Sequence, residues 1–288
     1  MIDHANARNI AVVISRDADG DLGVSARKEP PSLRNAASTS DARGRMQRTY
    51  RRIAPWFDLL DLGLEYGRYR TMRAAVFGCV RDAQDLLDCG AGTGRNGPFY
   101  PPDARVIPFD LSMEMLQRAR LRMKPGTPIV QADAMQLPFA SQSFDAATAT
   151  FLFCVLPDEL QEDAIREICR VLKPGGRLVL LEYVLSRHPL RRAWMRLWSG
   201  WVDFAYGASF TRKTDQHLRR AGMAIEQRTF LHADTIEMIV ARSESIIDVR
   251  TTDGPASQAL GHPCGVEVQR RQVASAFAAL AIRMDRPS

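Results

Sequence analysis

The fold is decided by residues 86–96, LLDCGAGTGRN, where an apolar run ends at an acidic residue and three glycines alternate with small residues. Glycine lacks a Cβ, so the backbone can turn tightly here and approach a ligand closely. A strand that leads into such a turn and then a helix is typical of sites for nucleotide-type ligands. Two versions of this site are excluded, because Arg95 occupies the position of the last glycine of the dinucleotide fingerprint and no Gly-Lys-Ser/Thr closes a phosphate loop.

Strand and helix patterns alternate on both sides of this turn. Short apolar runs predict strands at 85–89, 104–109, 128–132, 144–151, 177–184, 223–231 and 237–242. Helices are predicted after Ser112, from Asp158 with Gln161 completing a capping-box pattern, at 189–206 and at 214–221. This alternation predicts an α/β fold, a Rossmann-like three-layer sandwich around a mainly parallel seven-stranded sheet.

The chain divides into three parts by composition. Residues 1–42 show no sustained period, and we expect a largely disordered N-terminal extension. Residues 43–242 form the α/β domain, and an arginine-rich amphipathic stretch at 43–80 is expected to be a helical cap on it. Residues 243–288 form a C-terminal extension in which 266–284 fits one amphipathic helix.

Composition narrows the class of protein. The 288 residues carry a net charge of +6, which fits an acidic partner such as anionic lipid or nucleic acid, or simply a solvated basic surface. The five cysteines have no Cys-x-x-Cys spacing, so we expect reduced, buried thiols and neither a disulfide framework nor a metal site. No apolar run reaches the roughly 18 residues of a membrane span, and no signal peptide is recognisable, so we expect a cytoplasmic protein.

Three acidic residues stand at predicted strand ends: Asp88, Asp110 and Asp133. Ligands of open α/β sheets bind beyond the carboxyl ends of the strands. Asp110 lies 20 residues after Gly90, the separation at which a carboxylate accepts hydrogen bonds from a ribose. A single carboxylate could be a solvated strand terminus, but three in succession after the glycine turn favour a ligand site.

The successive motifs resemble those of class I S-adenosylmethionine-dependent methyltransferases that act on small molecules. The matching stretches are 88–94 (DCGAGTG), 109–116 (FDLSMEML), 131–134 (QADA), 137–139 (LPF), 143–145 (SFD), 170–176 (RVLKPGG) and 181–182 (LE). The resemblance implies S-adenosylmethionine as cofactor. It assigns these residues to the cofactor site: Tyr50, Asp88, Gly90, Ala91, Gly92, Gly94, Asp110, Leu111, Met115, Asp133, Ala134 and Phe151.

The resemblance also suggests roles within that site. The glycine turn would pack against the methionine part of the cofactor, and Asp110 would accept from the ribose hydroxyls. Asp133 and Ala134 would face the adenine, and Phe151 would lie near the point of methyl transfer.

Within this superfamily the chain looks most like the quinone-biosynthesis C-methyltransferases and their relatives, the phospholipid N-methyltransferases and membrane-associated thiol methyltransferases. The segments that carry this likeness are 54–58 (APWFD) with Tyr50, 96–102 (NGPFYPP) and 210–212 (FTR). The cap has Phe57-Asp58 where the family often has Tyr-Asp, which leaves the role of that tyrosine to Tyr50 or Tyr66.

The acceptor stays open at this stage. The resemblance implies a lipophilic small molecule or lipid headgroup: a phospholipid amine, a quinone precursor or a thiol. The arginine–aromatic stretches at 43–60 and 189–206 favour peripheral contact with an anionic membrane at its inner face. The alternatives are a nucleic-acid methyltransferase, disfavoured because residues 150–154 (TFLFC) contain no base-reading segment, and a binding protein without turnover. We assign no catalytic base, since His188, His217 and His232 lie in no motif, and no metal.

Overall fold

The structure is a computed structural model. It describes residues 11–16, 22–27, 44, 46, 48–50, 52, 53 and 68–244. The expected helix at 266–284, and the part of the cap between 54 and 67, lie outside the described residues.

Within these described residues, nine strands form two sheets. They are β1 (Ala11–Arg16), β2 (Leu22–Arg27), β3 (Asp85–Cys89), β4 (Arg105–Asp110), β5 (Val130–Gln131), β6 (Phe144–Thr150), β7 (Leu172–Tyr183), β8 (Met223–His232) and β9 (Ile236–Ser243). The main sheet has seven strands in the order β5-β4-β3-β6-β7-β9-β8. Its first five strands are parallel, whereas β9 pairs antiparallel with both β7 and β8. The predicted fold class is therefore confirmed.

Helices cover both faces of this sheet. They are α1 (Arg70–Gly78), α2 (Met113–Ala119), α3 (Asp158–Val171), α4 (Pro189–Tyr206) and α5 (Thr214–Arg220), and the described residues between 44 and 53 are also helical. On one face Val76 and Phe77 of α1 pack against β6 and β7, and on the other Ile165 and Ile168 of α3 join a second buried cluster. Because helices cover both faces of the sheet, β3 is buried at every residue and β6 at all but one.

The topology places the ligand site. After β3 the chain adds β4 on one side of it and later β6 on the other. Strand order therefore reverses at β3, and the crevice beyond the carboxyl ends of β3, β4 and β6 is where open α/β sheets bind ligands. The glycine turn follows β3 directly at this edge.

Several elements differ from the sequence predictions. The strands β1 and β2 pair as an antiparallel hairpin within the extension that we expected to be largely disordered, and alternation at Val12 and Ile14 suits such pairing. The third predicted strand shrinks to Val130–Gln131. The strand β7 starts at Leu172, and its pairing with β6 is interrupted where Gly175 takes a φ of 74°.

The capping box predicted at the start of α3 is wrong. Pro157 occupies the N-cap and no side chain caps this helix. Gln161 is instead fully buried, where its amide donates to the carbonyls of Phe153 and Leu156 at 2.8 and 3.2 Å and accepts from the Thr214 hydroxyl at 3.1 Å. Its tertiary contacts outweigh the local pattern, because a buried amide needs several partners. By contrast, Ser112 caps α2 as predicted, its hydroxyl accepting from the Met115 N–H at 3.3 Å.

The cysteines also depart from expectation in one case. Cys89, Cys154 and Cys169 are free thiols, whereas Cys79, which is buried, is disulfide-bonded. The prediction of reduced cysteines throughout is therefore wrong for Cys79. That prediction was based on the lack of Cys-x-x-Cys spacing, which concerns only cysteines close in sequence. A disulfide requires that two cysteines be close in space.

Candidate functional site

A cavity of about 450 Å³ lies at the carboxyl edge of the parallel strands. All but two of the predicted cofactor residues line it. Those that do are Tyr50, Gly90, Ala91, Gly92, Asp110, Leu111, Met115, Asp133, Ala134 and Phe151. The two that do not are Asp88 and Gly94, although both belong to the motif that decided the fold.

The glycine turn is shaped by three residues with positive φ: Gly90 at 69°, Gly92 at 54° and Gly94 at 80°. A Cβ on Gly92 would meet no protein atom within 4 Å, so this backbone faces the open cavity. A Cβ on Gly94 would lie 2.8 Å from the Cα of Ala119 in α2. One glycine thus leaves room for a ligand, whereas the other lets a helix pack closely against the turn.

Asp110 ties the turn to the start of α2. One carboxylate oxygen accepts from the Gly92 N–H at 2.9 Å and the other accepts from the Ser112 N–H at 2.9 Å. Burial raises the pKa of Asp110, and these two N–H groups act in the opposite direction. A carboxylate has about four lone-pair positions, so Asp110 keeps acceptor capacity toward the cavity while its geometry is fixed by backbone donors.

Two other predicted residues, Asp133 and Tyr50, also line the cavity. Asp133 accepts from the Met135 N–H at 2.9 Å, which makes a tight turn after β5 and holds the carboxylate at the rim. Tyr50 belongs to the N-terminal helical segment and packs with Ile53 and Met115. Desolvation raises the pKa of the Tyr50 phenol well above its usual value, and the proximity of Cys154 and Asp110 adds to this.

Asp88 lies beneath the turn, fully buried, in a network of hydrogen bonds. Asn96 donates to its two oxygens at 2.9 and 3.0 Å, Tyr100 donates at 2.6 Å and Thr148 at 3.0 Å. Burial raises the pKa of Asp88, and these donors oppose that effect. Asp88 therefore acts on the cavity as a positioning residue that fixes the turn from below, rather than as a lining residue.

Arg73 was not predicted as a site residue, yet its side chain lies in the cavity wall. Its side chain is buried and donates to Asn96 at 2.5 Å and to Thr150 at 3.2 Å, so it extends the Asp88 network to the cavity. One feature of the sequence could have identified Arg73 as a site residue. It lies on the apolar face of a helix, between Met72 and Val76. Arginine is almost never fully buried unless it is paired, so such a position indicates a polar site.

The other end of the cavity is aromatic. Phe151 lies 5.0 Å from the rings of both Tyr69 and Tyr183, measured between centroids, and Tyr183 lies 5.7 Å from Phe210. These four rings line the cavity together with Trp201. Only Phe151 was predicted, because the other rings come from distant positions in the chain. Offset and edge-to-face arrangements of this kind suit a planar aromatic ligand.

Phe151 also has an unusual backbone. Its φ is 59°, in the left-handed region that bulky residues rarely adopt, and its N–H donates to the carbonyl of Leu181 at 2.8 Å. Such strain persists only where surrounding contacts fix it, and it concentrates at functional sites. The conformation turns the Phe151 ring toward Tyr69 and Tyr183, at the junction of the glycine turn and the aromatic end.

A buried carboxyl group lies behind the aromatic end. Glu182 is 3% exposed, and one of its oxygens accepts from the Phe153 N–H at 3.1 Å while the other has no hydrogen-bond partner. Burial raises the pKa of Glu182 to about 8, only partly opposed by backbone N–H groups and Arg212. The nearby Cys154 thiol lines the cavity, and burial raises its pKa well above the usual value.

No histidine is among the described residues that line the cavity. His188 precedes α4 without capping it, and His232 pairs with Arg68 at 2.8 Å. His217 is buried in α5, 3.3 Å from Asp158.

Comparison with known proteins places this arrangement in a family. The profile of the Methyltransferase domain family matches residues 87–180. A demethylmenaquinone methyltransferase of Thermobifida fusca is 40% identical over 162 residues, covering 52% of this chain and 67% of the relative. One from Streptomyces griseus is 39% identical over 134 residues, covering 46% of this chain and 57% of the relative.

A third relative widens the group. A ubiquinone/menaquinone biosynthesis C-methyltransferase of Syntrophotalea carbinolica is 36% identical over 157 residues, covering 51% of this chain and 65% of the relative. The chain thus spans 57–67% of the length of these three relatives.

The fold has counterparts among solved structures. A SAM-dependent methyltransferase from Thermotoga maritima superposes with a TM-score of 0.52 at 20% sequence identity, covering 69% of this chain and all of the other. At that identity the likeness establishes the fold alone. Within the described residues, no helix is long and apolar enough to cross a membrane.

Proposed function

Because the chain belongs to the class I S-adenosylmethionine-dependent methyltransferases of the quinone-biosynthesis type, we propose that it transfers a methyl group from S-adenosylmethionine to a ring carbon of a lipophilic quinol. The observation that carries the proposal is a single cavity with a glycine turn and a fixed carboxylate at one end and four aromatic rings at the other. The relatives' names supply the quinone class, and the cavity supplies a site that suits it.

The residues at the first end fit S-adenosylmethionine. Gly92 faces open space that a Cβ would fill, and Asp110 retains acceptor capacity for two ribose hydroxyls. Leu111 and Met115 offer apolar contact beside Asp133 for an adenine, and the Arg73 guanidinium would hold a carboxylate. When bound, this cofactor supplies an electrophilic methyl group on a sulfonium.

The chain's own residues contribute alignment and exclusion of water. Direct displacement at a methyl group requires the two reacting atoms to be held in line at close range, and such positioning accounts for a large part of the barrier reduction. The Asp88 network and the Asp110 hydrogen bonds fix one side of the cavity. The rings of Phe151, Tyr69 and Tyr183 form the facing wall, where they would orient a flat acceptor and keep water out.

The aromatic wall favours a quinol over the other acceptors that the family resemblance implies. A planar hydroquinone would stack on Phe151 and Tyr183 over its whole ring, whereas an alkyl thiolate has no flat surface to stack and a phospholipid amine would gain cation–π attraction at its head alone. The electron-rich ring carbon of a quinol would take the methyl group as the thioether leaves, and the proton displaced from that carbon would pass to solvent, so no histidine is required.

The test is methyl transfer from isotopically labelled S-adenosylmethionine to a defined acceptor. The full chain is incubated with a reduced demethylated quinone, phosphatidylethanolamine, an alkyl thiol or RNA in parallel, and label is counted in the organic and aqueous phases. We expect label in the quinol, on carbon by mass spectrometry. Label in phospholipid, thiol or RNA would replace the quinol by that acceptor.

A binding protein without turnover is the remaining alternative. It predicts cofactor binding by calorimetry together with no label in any acceptor, including a crude lipid and nucleic-acid extract. That combination would overturn the proposed transfer while leaving the cofactor site intact.

A further inference from the structure

The helix α4 carries a broad apolar face that the described part of the protein does not cover. Its exposed large side chains are Leu190, Trp194, Leu197, Trp198 and Trp201, which are 44–76% exposed. Adjacent tryptophan rings on this face lie 5.5 and 6.2 Å apart between centroids. Exposed apolar residues are ordinary when scattered singly, but a contiguous stripe indicates an interaction surface.

Helical geometry separates this stripe from the side of α4 that packs on the domain. The exposed apolar residues recur at intervals of three and four, so they share one face. Arg192, Met195, Ser199 and Val202 are half-buried and form the inward side. The apolar stripe therefore belongs to a second face that the fold of the domain does not require.

The charge around the stripe is mainly positive. Arg187, Arg191 and Arg196 are exposed along or just before α4, and Asp203 is the acidic residue on the helix. Arg191 contacts Asp234 at 3.3 Å and is still 48% exposed. A tryptophan and leucine stripe flanked by arginines matches helices that lie in the interface of an anionic bilayer.

The stripe is continuous with the mouth of the cavity. Trp201 is part of it and also lines the cavity, together with Val202 from the next position on α4. The aromatic residues Phe210 and Tyr183 follow from there into the cavity. Whatever covers the stripe thus lies directly at the entrance to the aromatic end.

We propose that the face of α4 formed by Leu190, Trp194, Leu197, Trp198 and Trp201 docks on the surface of an anionic lipid bilayer, with Arg187, Arg191 and Arg196 over the headgroups. Tryptophan side chains favour the level of the headgroups, where the ring is buried and the indole N–H stays hydrated. Docking would open the cavity toward the bilayer, so that an acceptor with a hydrocarbon tail enters without crossing water; that consequence rests on the proposed function.

The test is flotation of the full chain with vesicles of phosphatidylcholine alone or of phosphatidylcholine mixed equally with phosphatidylglycerol. We expect binding to the anionic vesicles only. The double variant Leu190→Glu with Leu197→Glu should lose this binding, whereas Leu121→Glu, at an apolar residue that is 87% exposed outside α4, should not. Arg187→Gln with Arg196→Gln should weaken it by roughly five-fold for each arginine, against an unchanged Arg120→Gln control.

Tryptophan fluorescence locates the contact. The chain has four tryptophans, and Trp56→Phe leaves the three on α4 as the emitters. We expect their emission to shift to shorter wavelength on addition of anionic vesicles and to be quenched by brominated lipid. Neither Leu190 nor Leu197 lines the cavity, so methyl transfer to a short-chain, water-soluble quinol should persist in their double variant.

Three results would overturn the proposal. The first is equal vesicle binding by the wild type and the Leu190→Glu, Leu197→Glu variant. The second is a wild-type dimer in sedimentation that this variant dissociates, with no vesicle binding, since the stripe would then join two copies. The third is emission already at short wavelength without vesicles and insensitive to them, which would place another segment of this chain on the stripe. If methyl transfer failed with every acceptor, the proposed function would be wrong, but the vesicle-binding result would still support the docking of α4.

Discussion

The glycine-turn end of the cavity consists largely of backbone and carboxylates, whereas the aromatic end consists of side chains from distant elements. At the first end, both oxygens of Asp110 and both oxygens of Asp88 accept hydrogen bonds. At the second end, Glu182 keeps one buried oxygen without a partner. Each carboxylate oxygen at the first end thus has at least one hydrogen-bond partner, while the second end is held by ring packing over a carboxyl group with one unpartnered oxygen.

This difference matches the division of labour that we propose. A cofactor common to a whole superfamily can be held by backbone geometry, which changes little with side-chain substitution. An acceptor that varies between relatives must be selected by side chains. Variants at each end test whether the two ends are as distinct as the structure indicates.

The largest effect should come from Glu182 as pH changes. Its folded-state pKa of about 8 lies above the ordinary value of 4.5, so the folded protein holds a proton that the unfolded chain releases. Stability from this group is therefore full at low pH and is lost as pH rises toward 8, by on the order of 3 kcal/mol between pH 5 and pH 8. Glu182→Gln should remove that slope in urea unfolding.

The matched control for this measurement is Glu226→Gln, at an exposed carboxylate paired with Arg242 at 2.5 Å. It should leave the pH slope unchanged. If the free energy of unfolding varied with pH equally in the wild type and in Glu182→Gln, Glu182 would not be a carboxyl group with an unsatisfied oxygen. The two ends of the cavity would then not differ in this respect.

The next effect concerns the cofactor. Asp110→Ala removes the acceptor for ribose hydroxyls and also releases the N–H groups of Gly92 and Ser112. We expect S-adenosylmethionine affinity to fall about 100-fold by calorimetry, since hydrogen bonds to charged groups contribute roughly 1.5–3 kcal/mol each. Asp103→Ala, at an exposed carboxylate, serves as the control. Unchanged affinity in Asp110→Ala would refute the placement of the cofactor.

The glycine turn offers a comparison at matched backbone conformation. Gly94 and Gly126 have φ values of 80° and 85°, but only a Cβ on Gly94 would meet backbone, at 2.8 Å from Ala119. Both alanine variants carry the strain of positive φ, so Gly94→Ala should be less stable than Gly126→Ala by about 2 kcal/mol through overpacking. Equal losses in chemical unfolding would show that α2 does not pack against the turn as described.

The smallest effect should be at the aromatic end. Tyr183→Ala removes ring contacts with Phe151 and Phe210, so KM for the quinol should rise about ten-fold, because each ring pair contributes roughly 0.5–1.5 kcal/mol. Cofactor affinity should stay within about two-fold of the wild type, since β3 and β6 lie between the strand that ends at Asp110 and the strand that ends at Tyr183. Tyr183→Phe keeps the ring contacts with Phe151 and Phe210, so KM should rise less than in Tyr183→Ala. If Tyr183→Ala lost cofactor affinity together with quinol affinity, the two ends would not be separate sites.

Local patterns explain which elements were predictable. The cap at Ser112 and the helix Pro189–Tyr206 agree with the sequence predictions, because capping residues and helical periodicity act over a few neighbours. The capping box predicted at Gln161 also rested on a local pattern, but it was wrong. Burial against Phe153 and Thr214 gives Gln161 more hydrogen bonds than a helix start would. Arg73 and Tyr183 carried no motif at all, and their importance arises from where the sheet and α1 place them.

The sequence by itself determined the class of the fold and the glycine-turn end of the cavity. Alternating strand and helix patterns, glycines with positive φ and carboxylates at strand ends are properties of short segments, and they hold wherever the segment is placed. Only the tertiary structure decided that Asp88 and Gly94 support the cavity from outside its lining. It also brought Tyr69, Phe151, Tyr183 and Phe210 together, because contacts between residues far apart in the chain depend on the order in which strands pair in the sheet.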